Sequence, residues 1–224
     1  MLDIQTCLFD LDGVIVDTAK YHFIAWRRLA NELGFDFSEA DNEKLKGVSR
    51  MDSLNLILKW GDIELSEEEK LDWATRKNDW YLEFVKEMTP KEILPGVRSL
   101  LDDLKKRNVK IGLGSASKNA EMILELLDLT HYFDVIIDGN KITKGKPNPE
   151  IFLLGASSLD TKPKNTIVFE DAAEGVKAAR AAKMYAVGIG DHKTLNKAHL
   201  VINGFDEMDF QDILDCLKST DLLG

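Results

Sequence analysis

Cysteine is scarce: two residues in 224, Cys7 and Cys216. Two thiols so far apart make no disulfide framework. Both sit at apolar positions, as buried thiols in a reducing compartment do. Long apolar runs are also missing, and no stretch approaches the ~18 residues a membrane-spanning helix needs. The opening "MLDIQTCLFD" has no basic segment followed by a long apolar one, so no secretory leader is expected. Positive charge is in deficit, with 29 Lys and Arg against 39 Asp and Glu and a formal net charge of −10. That balance disfavours a general nucleic-acid or anionic-membrane surface, although a local basic site can still take a small anion. There is no internal repeat and no low-complexity tract. The expectation is a cytoplasmic, monomeric protein that acts on a small molecule.

What is present is enough for a sizeable core: 44% hydrophobic residues in a chain long enough for one large domain or a core with an appendage. "TCLF", residues 6–9, reads as a buried strand. From about 18 to 90 the apolar spacing is helical. Positions 23, 26, 29, 30 and 33 share one face before Gly34, and Leu54, Ile57 and Leu58 share another before Gly61. Ser66 and Glu69 are spaced as a capping box, and the helix they open is expected to run until Pro90. After Pro95-Gly96 the rhythm alternates. A helix with Val97, Leu100, Leu101 and Leu104 precedes the strand "VKIGLGS", a helix over about 118–127 and the strand "FDVIID". A helix from Pro149, the strand "NTIVFED", the helix "AAEGVKAARAAK", the strands "YAVGIG" and "LVI", and a helix over about 209–217 follow. Alternation of this kind implies parallel strands with right-handed crossovers. The fold class is therefore α/β: a doubly wound, Rossmann-like parallel sheet over residues 1–16 and 92–224, with an α-helical cap over 17–91 inserted after the first strand.

In open parallel sheets ligands bind beyond the carboxyl ends of the strands. The polar residues there are Asp10 and Asp12 after the first strand and "SASKN" (115–119) after the second. Lys144 and Lys146 follow the third, and Glu170 and Asp171 the fourth. Carboxylates from two strand ends suit Mg²⁺, which takes hard oxygen ligands and keeps room for phosphate oxygens. The helix start after Ser115 offers N–H groups to a phosphate, and a lysine adds the charge that phosphoryl transfer needs. A carboxylate beside them can attack phosphorus. A second acid two residues on, as Asp12 is from Asp10, projects to the same side and can carry the proton.

"DLDGV", "SAS", "GKPNP" and "FEDAAEG", in that order at those strand ends, resemble the four motifs of the haloacid dehalogenase superfamily over essentially the whole chain. The resemblance implies Asp10 as nucleophile, Asp12 as general acid/base, Ser115 as the motif hydroxyl and Lys146, not Lys144, as the motif lysine. It implies one Mg²⁺ held by Asp10, the main-chain carbonyl of Asp12, Glu170 and Asp171. Haloalkanoate dehalogenases lack an acid at the Asp12 position, so phosphoryl chemistry is favoured. The cap segments "DTAKYHFIAWRRLA", "LKGVSRMDSL" and "RKND" are similar to those of sugar-phosphate mutases of that superfamily. These interconvert β-glucose 1-phosphate and glucose 6-phosphate through a bound β-glucose 1,6-bisphosphate. The substrate-binding residues so implied are Thr18, His22, Trp26, Lys46, Gly47, Val48, Ser49, Arg50, Ser53 and Lys77 in the cap. Ala116, Ser117, Lys118 and Asn119 are their counterparts on the core. Arg50 can grip the non-reacting phosphate in bidentate fashion. His22 and Lys77 can link cap closure to the orientation of Asp12. Asp17 suits a hinge hydrogen bond at least as well as a substrate contact, and Trp60, Trp73 and Trp80 read as cap packing. A sugar-phosphate phosphatase on the same scaffold is the close alternative. A phospho-receiver domain or a non-catalytic sugar-phosphate sensor is more remote.

Overall fold

A computed structural model describes residues 2–221. Its centre is a six-stranded sheet, parallel throughout, in the order β3-β2-β1-β4-β5-β6. The strands are β1 (Thr6–Phe9), β2 (Lys110–Gly114), β3 (Val135–Ile137), β4 (Thr166–Glu170), β5 (Tyr185–Ile189) and β6 (Leu200–Ile202). Between β1 and β2 come α1 (Ala19–Glu32), α2 (Glu39–Glu43), α3 (Arg50–Trp60), α4 (Glu67–Val85) and α5 (Val97–Lys106). The later helices are α6 (Ala120–Leu126), α7 (Glu150–Ser158), α8 (Ala173–Ala181) and α9 (Phe210–Asp221). No described helix is long and apolar enough to cross a membrane.

β1 lies inside the sheet and is buried at every residue, which explains its unbroken apolar run. Phe9 pairs in register with Leu113 on one side and Phe169 on the other, and its ring stacks on Phe169 at 4.7 Å. That register brings Asp10 level with Glu170, and the Asp10 amide donates to the Phe169 carbonyl at 3.0 Å. The strand order reverses at β1, so the crevice between β1 and β4 is the switch point at which an α/β sheet takes its ligand.

The helical stretch packs around Trp26, Leu29, Leu54, Ile57, Trp80 and Tyr81, all buried and continuous with the apolar cluster of the sheet. The Ser66–Glu69 capping box opens α4, as its spacing predicts. A second box, Ser38 with Asp41, opens the short α2, which apolar spacing alone did not mark. Glu32 of α1 pairs with Arg76 of α4, and the Arg76 and Arg28 guanidiniums lie over Trp73 and Trp80. Trp60 differs from a packed tryptophan: it is 40% exposed, with the Lys44 ammonium over its ring. α4 stops at Val85 rather than at Pro90, which instead opens a 3-10 turn, Pro90–Glu92. α9 runs to Asp221, past the expected end at 217. The segments on either side of residues 17–91 meet where Val16 and Ile93 form an antiparallel bridge.

Gly96 caps α5 at φ +78°, and a Cβ there would lie 2.3 Å from the Phe205 carbonyl carbon. Gly34, at φ +95°, has open space around it. Urea denaturation should separate these two effects. Gly34→Ala is expected to cost about 1 kcal/mol from the left-handed backbone alone, and Gly96→Ala at least about 2 kcal/mol because backbone must also move.

Candidate functional site

The site is assembled at the carboxyl edge of β1, β2 and β4. Asp10, Glu170 and Asp171 each offer a carboxylate oxygen within 4.8 Å of the others, a hard-oxygen set that fits Mg²⁺. The Lys146 ammonium, fully buried, donates to Asp10 Oδ1 at 2.9 Å and to Glu170 Oε1. Burial alone would lower the pKa of that ammonium, but the two carboxylates beside it hold it above its usual range. Glu170 Oε2 accepts from the Ala172 amide at 2.8 Å, so both its oxygens are engaged. Asp10 and Asp171 are left as the more open ligands. Lys144 is exposed, two residues from the buried lysine.

Asp12 stands immediately before a turn that Gly13 opens at φ +74°. Any side chain at Gly13 would collide with Asp171, since a Cβ would sit 2.2 Å from its Oδ2. The Asp12 carboxyl is raised to about 7, first by burial and then by the Asp10 carboxylate, with Lys146 and Lys77 opposing. A carboxyl in that range can both hold and give up a proton near neutrality. Thr18 is fully buried and donates to Asp12 Oδ1. It stands beneath the acid rather than on the cavity wall, so its place is that of a positioning group and not of a substrate contact. Asp17 is exposed and caps α1 through the Ala19 amide.

A cavity of about 1250 Å³ opens between the helical segment and the sheet edge. From the core it is lined by Asp10, Asp12, Ser115 to Asn119 and Asp171, and from the helices by His22, Trp26, Lys46 to Arg50, Ser53 and Lys77. Glu170 and Lys146 lie behind Asp10, outside the lining. The Ser115 hydroxyl oxygen accepts from the Ser117 amide at 3.1 Å, which leaves its hydrogen to donate. α6 begins only at Ala120, so it is the 115–119 loop, not a helix terminus, that faces Ser115. Arg50, half-buried on the cap wall, forms no salt bridge among the described residues, although the Asp79 carboxylate acts on its charge.

Lys77 is 2% exposed, 2.8 Å from His22 Nδ1, with its ammonium over the Trp26 and Tyr81 rings. Burial and the Arg50 charge push the Lys77 pKa well down, against the pull of Asp12. Burial, Lys77 and Arg50 do the same to His22, which fits a neutral ring accepting from Lys77. Two members of this group were not marked by the sequence. Tyr81 stacks on His22 at 4.2 Å, one turn beyond Lys77. Asn78 accepts from the Asn119 side-chain amide at 2.9 Å and so joins the helical segment to the core. Asn78 lies inside the quoted "RKND", but nothing in the residues alone gave it a partner.

The profile of the haloacid dehalogenase-like hydrolase family matches residues 7–189. The chain is 43% identical to β-phosphoglucomutase of Bacillus subtilis over 88% of both proteins. It is 34% identical to a phosphorylated carbohydrates phosphatase of Thermotoga maritima, over 88% of this chain and 92% of the other. A solved β-phosphoglucomutase structure from Clostridium difficile superposes with a TM-score of 0.94 at 45% identity, covering 98% of this chain and 99% of that one.

Three acids at this edge, Asp12, Glu170 and Asp171, have raised pKa values, burial being the first cause in each. Between the ordinary carboxylate range and about pH 8 the folded protein therefore binds more protons than the unfolded chain. Stability contributed by these groups is present at low pH and lost as pH rises through that window. A divalent cation on the ionised acids reverses the loss. Thermal melts should show Mg²⁺ raising Tm more at pH 8 than at pH 5.5. An equal shift at both would contradict a site built from these acids.

Proposed function

The chain belongs to the haloacid dehalogenase-like hydrolase family, and from that premise we propose a Mg²⁺-dependent phosphomutase acting on β-glucose 1-phosphate and glucose 6-phosphate. Its similarity to two β-phosphoglucomutases supports the reading. Residues 1–16 and 92–224 are the catalytic core and 17–91 the cap. The observation that carries a mutase is Arg50, a guanidinium that forms no salt bridge among the described residues and lines the cavity from the cap while Asp10 lines it from the core. A sugar bisphosphate has two phosphates, and a second anion site away from the acids is what a mutase needs and simple hydrolysis does not.

In this reading Mg²⁺, held by Asp10, Glu170, Asp171 and the Asp12 carbonyl, supplies positive charge against the phosphoryl oxygens. The Asp10 carboxylate attacks phosphorus, the bond from phosphorus to the leaving oxygen breaks, and an aspartyl phosphate forms. Asp12 gives its proton to the leaving oxygen. On return it takes the proton of the sugar hydroxyl that attacks the aspartyl phosphate. β-Glucose 1,6-bisphosphate is the intermediate that turns over between the two transfers. Lys146 holds Asp10 in place through its 2.9 Å contact, and Ser115 donates to a phosphoryl oxygen. Arg50, with Ser117 and Asn119 opposite, holds the phosphate that is not reacting. A sugar-phosphate phosphatase is the second reading, favoured by the Thermotoga maritima relative. The two differ only in whether water or a sugar hydroxyl discharges Asp10.

The deciding assay supplies Mg²⁺, β-glucose 1-phosphate and a trace of β-glucose 1,6-bisphosphate, and follows glucose 6-phosphate against free phosphate. Fast isomerisation with little free phosphate is expected, and mainly free phosphate would establish the phosphatase instead. Asp10→Asn should abolish both products. Arg50→Ala should lower isomerisation about 10- to 100-fold, the loss of one charge-assisted contact, with much less effect on hydrolysis of a small phosphate ester. Equal losses in the two assays would remove Arg50 from the distal phosphate.

A further inference from the structure

Lys46 lies in the turn after α2, on the cap wall, yet its ammonium reaches the acids of the core. Nζ is 3.5 Å from Asp171 Oδ2 and 2.9 Å from Glu43 Oε2. The backbone follows it down: a Cβ at Gly47 would be 3.1 Å from the Cβ of Ala172, the residue after Asp171. The Asp171 side chain is 9% exposed, and that of Lys46 is 34% exposed. Four carboxylates gather here, Asp10, Asp12, Glu170 and Asp171, and Lys146 neutralises only one charge while contacting Asp10 and Glu170. Asp171 is left to Lys46. Glu43 is a second carboxylate waiting beside the same ammonium.

We propose that Lys46 is a tethered cation that competes with the divalent metal for Asp171, seating the cap turn on the core of the metal-free protein and yielding when metal binds. The inference rests on the reading of Asp10, Glu170 and Asp171 as metal ligands. A divalent ion brings twice the charge to the carboxylate at shorter range, and two cations on one carboxylate repel. The ammonium then has Glu43 to fall back on, so it leaves without becoming unpaired. The released turn leads directly into Ser49 and Arg50 at the start of α3. Metal loading thus frees the segment that carries the distal-phosphate arginine, and the protein takes metal before sugar phosphate.

Titration calorimetry with Mg²⁺ at pH 7.5 tests the competition. Lys46→Met is expected to bind Mg²⁺ about fivefold tighter, the equivalent of one partly exposed ion pair. Lys44→Met removes the same charge from the same turn, but from a lysine that pairs with Asp41. It should stay within about twofold of wild type, because an exposed charge without contact is screened. Lys46→Arg should bind as wild type does. Unchanged or weaker binding by Lys46→Met, or equal tightening in Lys44→Met, would overturn the proposal. Amide hydrogen exchange of the wild-type protein gives an independent readout. Mg²⁺ should speed exchange over residues 44–49, and no change or slowing there would also overturn it. A wild-type protein that takes up no Mg²⁺ would sink the metal reading of the acids itself, and the proposal with it. Mg²⁺ binding that ignores Lys46 would sink the proposal alone.

Discussion

The contact on which the site depends is the Lys146 ammonium, buried between Asp10 and Glu170. Register puts these two carboxylates side by side at the ends of adjacent strands, inside a sheet edge that excludes water. Two unshielded carboxylates there would repel and take up protons. The ammonium between them fixes the orientation of the Asp10 carboxylate. The cost of burying three charges is offset by close geometry and by the Ala172 amide on the remaining oxygen of Glu170. Removing the lysine would leave uncompensated charge in the core, so catalysis and stability are tied to the same side chain.

Asp12 is governed from the other side. Its neighbours in the sheet edge raise it, while Thr18, at the start of the cap segment, holds one of its oxygens. Lys77 belongs to the cap yet acts on Asp12 by charge, from within a box of Trp26, Tyr81 and His22. The aromatic faces compensate an ammonium that has lost its water, and the depressed His22 accepts its hydrogen. Asp10 is thus fixed by the core alone, and Asp12 is held by core and cap together. Movement of the cap would change the state of Asp12 without disturbing Asp10.

The strand ends were legible because β1 is buried on both faces, so acids at its end stand out against an apolar run. The same logic found Ser115, Glu170 and Asp171, and proline beside Lys146 separated it from exposed Lys144. Groups whose role depends on three-dimensional neighbours were not legible. Thr18 is expected from sequence against the substrate, and only the folded chain shows it buried against Asp12. Tyr81 looks like one more apolar position of α4, and Asn78 gains meaning only from Asn119 across the cleft. The short α2 escaped because its signal is a cap, Ser38 with Asp41, rather than a periodic apolar face. The early stop of α4 has a similar origin. Pro90 forbids helix beyond it but does not oblige the helix to reach it.

The volume of the cavity bears on the difference between a mutase and a phosphatase. At about 1250 Å³ it is above the usual range for small-ligand sites, ~300–1,000 Å³. A phosphatase needs one anion position and a path for water. A mutase must let a bisphosphate exchange its two ends at Asp10, so it needs anion positions at both ends and room to turn between them. Asp10, Asp12, Asp171 and Ser115 line the cavity from the core, and Arg50 lines it from the cap. Asn78 and Asn119, hydrogen-bonded side chain to side chain, close one side of the space between. In the proposed mutase this side-chain contact would have to break and reform at each turn of the intermediate. An enclosure held by such contacts can keep water from an aspartyl phosphate and still open for sugar, which a cleft sealed by apolar packing could not do.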